Sequence, residues 1–403
     1  MSNKLLDRPK LFLSKAHLKG YKSIDDLEIN LNSGLNILIG KNGSGKSNFI
    51  DLLDKVITFN RNRNKVTFEF AKIEILSSDN YVFSFELERF LRKNDLFNDE
   101  IDDRIGVNES FFINNKPQIS YSNKSSVRKK IEFKGKYISY SHSKSVLFTK
   151  LGYKPLHSLL IKFAIPDRLD FINTSGSLKY DLDEIVGFLD YPESVSFITH
   201  LILSIESYFA GLEENDIDFN TVKVEDILER FKLQELILEN LKLYSPIEDV
   251  RFNPNMNLYN DDISLTIDNI RIEFKVNSNW MPWSQLSDGT KRLFYIIAET
   301  TYSEGLILIE EPELGIHPHQ FNLLMDFLKE QSETKQIIIS THSPKALDHL
   351  SKDELDNLLI ASYDLKKGTQ IRHLTTAEIK KAKKYMKEVG FFSDYWMLSD
   401  LEE

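Results

Sequence analysis

The spacing of apolar residues changes several times along this chain, and the changes divide it. Leu11–Leu18 and Leu27–Leu31 alternate loosely, as strands with one covered face do. Gly34 separates them from Leu35–Ile39, a short apolar run with glycine at both ends that predicts a buried strand. Over Ser47–Thr58 the period becomes helical, with Phe49, Ile50, Leu52, Leu53 and Val56 on one side. Alternation returns between Val66 and Phe90, through Phe68, Phe70, Ile73, Ile75, Tyr81, Phe83, Phe85 and Leu87, and predicts antiparallel strands. Residues 95–150 are rich in Asn, Ser and Lys and read as irregular; residues 181–243 read as mostly helical and acidic. The polar turn Asn260–Asp262 sets off a strand pair, Ile263–Ile267 and Ile270–Val276. Helix and strand then alternate: helix Thr290–Tyr302, buried strand Leu306–Ile309, helix Gln320–Ser332, buried strand Gln336–Ser340, strand Asn357–Ala361 and helix Thr376–Val389. Such a succession predicts an α/β architecture. No internal repeat, Pro-rich linker or heptad run beyond about three turns is present, so a long coiled-coil arm is not expected.

Composition narrows the chemistry. The 403 residues carry 51 Lys+Arg against 61 Asp+Glu, a net charge of −10, and no cysteine. Zero cysteine excludes a disulfide scaffold, a Cys-based zinc site, an Fe–S cluster and a thiol nucleophile. The acidic total argues against a protein whose whole surface grips nucleic acid. Met1–Leu13 carries Lys4, Arg8 and Lys10 without an apolar targeting core, and no stretch approaches the roughly 18 apolar residues of a spanning helix. The expectation is a cytoplasmic protein with no membrane partner.

Four motifs carry candidate chemistry. The first is Gly40-Lys41-Asn42-Gly43-Ser44-Gly45-Lys46-Ser47, which fits G-x-x-x-x-G-K-[ST] between a predicted strand and a predicted helix. Glycines let backbone N–H groups converge on phosphate oxygens, and the helix N-terminus adds positive potential. Gly40, Asn42, Gly43, Ser44 and Gly45 would form the cradle, Lys46 would reach the β- and γ-phosphates and Ser47 would ligate Mg²⁺. In the second, Leu306–Ile309 runs into Glu310 and Glu311 at a strand end, where open α/β sheets bind ligands. Glu310 would hold Mg²⁺ through water and Glu311 would polarise an attacking water; apolar strands that end in acidic loops are also common without function. In the third, Ile337-Ile338-Ile339-Ser340-Thr341 delivers His342 at another strand end, where it could hydrogen-bond a γ-phosphate or serve structurally. In the fourth, Leu286-Ser287-Asp288-Gly289-Thr290 opens a helix, and by itself it is a plain N-cap.

Taken together and in this order, the four motifs resemble the nucleotide-binding head of ABC-type ATPases, most of all the RecF/SMC/OLD-like branch. The resemblance makes Gly40–Ser47 the Walker A loop, Leu286–Thr290 the signature loop with Ser287 and Gly289 on nucleotide, Leu306–Glu311 Walker B and His342 the switch histidine. Ala16-His17-Leu18-Lys19-Gly20-Tyr21-Lys22-Ser23-Ile24 looks like that branch's opening strand. Glu310-Glu311-Pro312-Glu313 with His317-Pro318, and the closing Phe391–Trp396, are similar to its stand-alone OLD-like members. It covers roughly residues 11–60 and 263–403. Glu310 stands where Asp is usual, and Asp288 where the common signature has Gly. No Q-loop residue is selected between Gln118 and Asn80, and Tyr21 can stack on adenine or simply pack. The resemblance implies an α/β P-loop head with an antiparallel β subdomain and a mixed, largely helical insertion. The expected division is 1–94 and 263–403 for the head and 95–262 for the insertion.

The family likeness further implies a Mg²⁺-dependent ATPase, with Lys46, Glu311 and His342 as its catalytic residues. It would form a head-to-head homodimer, or a higher oligomer, in which each signature loop closes on the partner's ATP. Sixty-one residues follow His342, too few for the head's last strands plus a Toprim nuclease domain. The pairs Asp181/Asp183 and Asp216/Asp218 sit in an acidic stretch and follow no apolar strand. Any nuclease or toxin activity is therefore expected from a separate effector encoded alongside, as in two-gene anti-phage systems such as Septu, PARIS and retron-associated modules. The alternatives are a RecF-like repair ATPase clamping DNA, and a scaffold that binds ATP with little hydrolysis. Residues 116–154 hold ten Lys/Arg against Glu132, with Tyr121, Phe133, Tyr137 and Tyr140 interleaved. This is either a phosphate-tracking surface for DNA or a solvated lysine-rich loop.

Overall fold

The computed structural model describes residues 8–61, 65–91, 105–121, 130–162, 176–181, 223–230, 233–260, 264–399 and 401. In chain order, the first part contains β1 (Leu11–Tyr21), β2 (Ile24–Asn30), β3 (Leu35–Ile39), α1 (Lys46–Thr58), β4 (Phe70–Ser77), β5 (Val82–Leu91), β6 (Ile105–Ile113), β7 (Lys116–Tyr121), β8 (Lys130–Phe133), β9 (Lys136–Ser139), α2 (Lys144–Leu151) and β10 (Ser158–Ile161). The middle contains β11 (Gly176–Asp181), α3 (Val224–Arg230), α4 (Glu235–Tyr244), β12 (Ile247–Phe252), β13 (Asn257–Asn260), β14 (Ser264–Ile270), β15 (Ile272–Val276), β16 (Asn279–Pro282) and α5 (Asp288–Tyr302). The last part contains β17 (Leu306–Glu310), α6 (Pro318–Ser332), β18 (Ile337–Thr341), β19 (Leu358–Asp364), β20 (Gly368–His373), α7 (Thr376–Glu388) and α8 (Phe392–Leu398).

Two compact units result, one of residues 1–161, 304–312 and 332–403, the other of residues 162–303 and 313–331. The first is built on a sheet of order β10-β17-β18-β3-β19-β20-β2-β1-β4-β5-β6-β7. From β10 to β19 the pairings are parallel, and from β19 onward they are antiparallel. All five residues of β3 and of β18 are buried, and both are mostly apolar, with Asn36 in β3 and Ser340 and Thr341 in β18 as buried polar exceptions. α1 buries Phe49, Ile50, Leu52, Leu53 and Val56, the same residues that set its helical period. These side chains join one apolar core with Leu308, Ile338 and Leu359 on the parallel side and Ile73, Phe83 and Phe111 on the antiparallel side.

The second unit contains two three-stranded sheets, β11-β14-β13 and β12-β15-β16. Phe294 packs edge to face against Phe274 and Trp283, at centroid distances of 4.9 and 5.7 Å, and those two rings lie tilted to each other at 5.6 Å.

Several expectations are corrected. Residues 105–121 and 130–151 are ordered strands and a helix rather than irregular chain, because β6 and β7 continue the β4–β5 meander. The two segments Ile263–Ile267 and Ile270–Val276 do not form a pair. β14 joins β11 and β13, while β15 joins β12 and β16. By compactness, residues 1–161 fall in the first unit and residues 264–303 in the second. The described part of the expected insertion is richer in strand than in helix; residues 182–222, with Asp183, Asp216 and Asp218, lie outside the described residues. Among the described residues no helix is long and apolar enough to cross a membrane.

Candidate active site

The order β17-β18-β3 places three consecutive parallel strands side by side, and each ends in one of the motifs. Gly40–Ser47 follows β3, Glu310 and Glu311 close β17, and His342 follows β18. The carboxyl ends of such strands are where an open α/β sheet leaves room for a ligand.

The loop's glycines are there for conformation and clearance. Gly43 and Gly45 have φ of +80° and +94°, in the region that L side chains avoid. A Cβ on Gly43 would enter open space, whereas one on Gly45 would lie 1.9 Å from Thr369 Oγ1. A Cβ on Gly40 would lie 2.2 Å from Ala361 O, so the loop starts pressed against β19. Ser23 Oγ then ties three elements together, accepting from Asn48 Nδ2 of α1 at 2.7 Å and sharing a 2.7 Å hydrogen bond with Thr369 Oγ1 of β20. Ser23, Asn48 and Thr369 are positioning residues that lie outside the four motifs. Ser23 lies inside the opening stretch Ala16–Ile24, but nothing near Thr369 in sequence marks it.

Lys46 is buried, and its ammonium donates to Gly40 O at 2.7 Å and to Lys41 O at 3.2 Å. It also lies 3.2 Å from His342 Nδ1, and His342 Nε2 lies 2.9 Å from Glu311 Oε1. Because an ammonium only donates, Nδ1 must accept, and the neutral imidazole then carries its proton on Nε2 and donates it to Glu311. One tautomer satisfies both contacts, so Lys46, His342 and Glu311 form a continuous line of polar groups. Glu311 itself has φ +46°, and its N–H donates to Ser340 O at 2.7 Å, which aims the carboxylate at the histidine.

Glu310 is the last residue of β17, in register with Ser340, and Ser47 is exposed on the first turn of α1. Among the described residues no group of three His, Asp or Glu side chains could by itself hold a metal ion. That donor set suits Mg²⁺, which keeps waters and takes one or two protein oxygens together with substrate phosphates. Ser44 Oγ, buried and without a hydrogen-bond partner, leaves a donor in the loop that an anion can accept.

Other expected residues fall elsewhere. Tyr21 is buried and donates to Asp51, and burial, with that carboxylate, pushes its phenol up; it packs rather than offering a free ring face. Gln118 bonds Lys116 O on the edge strand β7, and Asn80 turns the β4–β5 hairpin at φ +67°, so neither is singled out as a Q-loop. Ser287 and Gly289 belong to the second unit. There Ser287 caps α5, its Oγ accepting from Thr290 N at 3.2 Å, and a Cβ on Gly289 would lie 2.5 Å from Gly315 O. The closing motif is structural: Ser393 N and Oγ both donate to Asp348 at 2.8 Å.

The basic run is partly consumed by the fold. Lys134 pairs with Asp79 at 2.8 Å, Lys144 is buried against the Phe59 and Phe85 rings, and Lys154 pairs with Glu304 at 3.2 Å. Lys116, Lys130, Lys136 and Lys150 remain exposed, with Tyr137, while Lys124, Arg128 and Lys129 lie outside the described residues.

Residues 35–348 match the family described as "AAA domain, putative AbiEii toxin, Type IV TA system". The Septu protein PtuA of Bacillus thuringiensis is 25% identical over 86% of this chain and 75% of its own length. The Retron Vc95 probable ATPase of Vibrio cholerae serotype O1 biovar El Tor is 21% identical over 88% of this chain and 74% of its own. Among solved structures, an SMC head bound to the C-winged helix domain of ScpA overlays at a TM-score of 0.49 and 15% identity, covering 91% of this chain and 99% of that one.

Proposed function

Because the chain belongs to this AAA domain family, we propose that it binds ATP with Mg²⁺ on the loop Gly40–Ser47 and hydrolyses it. The observation that carries the reading is the line Lys46–His342–Glu311 at the ends of three adjacent strands. Bound nucleotide would meet the loop amides and Lys46, and Ser47 and Glu310 would hold Mg²⁺, which neutralises phosphate charge. Glu311 is the general base, accepting a proton from water, and His342 holds its carboxylate through Nε2–H. The same imidazole would register the γ-phosphate, since Lys46 cannot serve both Nδ1 and a phosphate oxygen at full strength.

Two variants test this. Lys46→Ala should lose nucleotide binding by calorimetry. Glu311→Gln should bind ATP but turn it over at least a hundredfold more slowly, the low end of what a general base contributes. Undiminished turnover in Glu311→Gln would overturn the assignment of the base, and negligible turnover in the unsubstituted chain would favour the scaffold reading.

The biological role is proposed from the relatives' names. The chain acts as the ATP-gated sensor of a multi-protein anti-phage system, as a head-to-head dimer that controls a separate effector. Co-purification with the neighbouring gene product, with and without ATP, tests it; a chain that captures no partner in either state argues against it. The exposed Lys130, Lys136 and Tyr137 on the β8–β9 hairpin favour a second reading, a DNA clamp. Lys130→Glu with Lys136→Glu should then weaken duplex binding and flatten its salt dependence by about two units of slope; unchanged binding removes that reading.

A further inference from the structure

The strands that end in the motifs also place a hydroxyl to which the proposed chemistry gives no part. β17 and β18 run parallel, with Leu308 beside Ile338 and Glu310 beside Ser340, and Ser340 in turn lies beside Leu38 of β3. Partners across a sheet share a face, and residues two apart along a strand return to it. Leu308, Ile338 and Leu38 pack into the core with Phe49, Ile50, Leu52 and Leu53 of α1. Glu310 and Ser340 therefore face the side that α1 covers. They sit at the carboxyl ends of their strands, where β3 leads through the Gly40–Ser47 loop into the first turn of α1. Neighbouring strands are about 4.8 Å apart, so Ser340 stands next to the residue proposed to hold Mg²⁺.

Ser340 is 1% exposed, and its Oγ has no hydrogen-bond partner among the described residues. Its carbonyl is satisfied, accepting from Glu311 N at 2.7 Å. The next residue shows the ordinary use of a hydroxyl at a strand end. Thr341 Oγ1 accepts from Ser343 N at 2.9 Å and so shapes the turn that carries His342. Ser340 Oγ has no such role. The three residues before it are isoleucines, and a fourth apolar residue would fill the place without leaving a buried polar group unsatisfied, which costs stability. Ser84 Oγ and Ser303 Oγ are also buried and unpartnered, but neither lies on a strand that ends in a motif.

A metal-bound water is the partner this position suits. Mg²⁺ dehydrates reluctantly and keeps several waters beside one or two carboxylates and the substrate phosphates. Groups just outside the ligands orient what they touch and raise the affinity for the ion. A serine oxygen has two lone pairs with which to accept from such a water. We propose that Ser340 is a positioning residue for the metal, its Oγ accepting a hydrogen bond from a water on the Mg²⁺ that Ser47 and Glu310 hold. The proposal rests on the reading of this site as one for ATP with Mg²⁺, and adds to it a residue that tunes the ion rather than the nucleotide.

The test is calorimetric titration with the non-hydrolysable analogue adenylyl imidodiphosphate, in excess Mg²⁺ and again in EDTA, on the full chain and on Ser340→Ala. The ratio of the two affinities measures what the ion contributes. Ser340→Ala should leave the affinity in EDTA unchanged and reduce the ratio about tenfold, the low end of what an outer partner of a bound metal contributes. Because the hydroxyl makes no hydrogen bond within the described chain, the same variant should unfold in denaturant at the midpoint of the unsubstituted protein or above it. A purely structural serine would give the reverse, a lower midpoint with an unchanged ratio. An unchanged ratio in Ser340→Ala overturns the proposal. An equal loss of affinity with and without Mg²⁺ also overturns it, by placing the hydroxyl on the nucleotide. An unsubstituted chain that binds no analogue in either condition overturns the ATP-site reading itself, so the two failures are distinguishable.

Discussion

Glu311 combines a chemical role with a conformational cost. A non-glycine residue at φ +46° pays about 1 kcal/mol or more for the approach of its Cβ to the following carbonyl. The fold holds it there through Glu311 N–H to Ser340 O and through the side-chain contact with His342. Replacement by Gly should relieve the strain and replacement by Ala should keep it. Glu311→Gly is therefore expected to melt about 2 °C above Glu311→Ala, with both equally inactive. Equal midpoints in a thermal melt would mean that the turn is unstrained. Glu311→Gln preserves both backbone and bulk, so it isolates the chemistry from this conformational term.

At the level of elements, the packing of Gly289 gives a sharp expectation. Its Cβ would lie 2.5 Å from Gly315 O, a backbone atom that cannot swing aside. Gly289→Ala should cost about 1–3 kcal/mol, read as a lower midpoint in denaturant, although alanine normally favours a helix over glycine. A stabilised variant would contradict the close approach. The same scale shows what could be read from the chain and what could not. β3, β17 and β18 were visible because strands covered on both faces become short apolar runs. β6 was hidden because a fully buried Glu109 occupies an inward position between Val107 and Phe111, satisfied by Tyr140 OH at 2.8 Å and by His142. A binary pattern counts such a residue as outward-facing. β14 and β15 were visible as strands but not as members of different sheets, since nothing in adjacent segments states their partners. The Ser23–Thr369 latch joins residues 346 apart, and two hydroxyls leave no periodic trace.

For the whole molecule, the decisive question is whether one chain completes its own site. ATP at about 100-fold its Kd stabilises a bound state by roughly 2.7 kcal/mol, while driving an equilibrium from 1:99 to 99:1 takes roughly 5.5 kcal/mol. Two sites acting on one closure reach that figure, and a single site brings closure only to about even. The proposed dimer supplies two sites if Ser287 of each protomer serves the nucleotide held by the other's Lys46. Mixing two inactive proteins separates this from a self-contained site. In a heterodimer of Lys46→Ala and Ser287→Arg chains, both lesions fall on the same composite site, which leaves the other intact. Half of the dimers are mixed at statistical exchange, and each has one working site of two, so the mixture should regain up to about a quarter of wild-type turnover. If each chain used its own Ser287, every site would carry one lesion and the mixture would stay as inactive as its parents. Regained turnover in the mixed sample, rising with exchange time and absent from either protein alone, is the expected result.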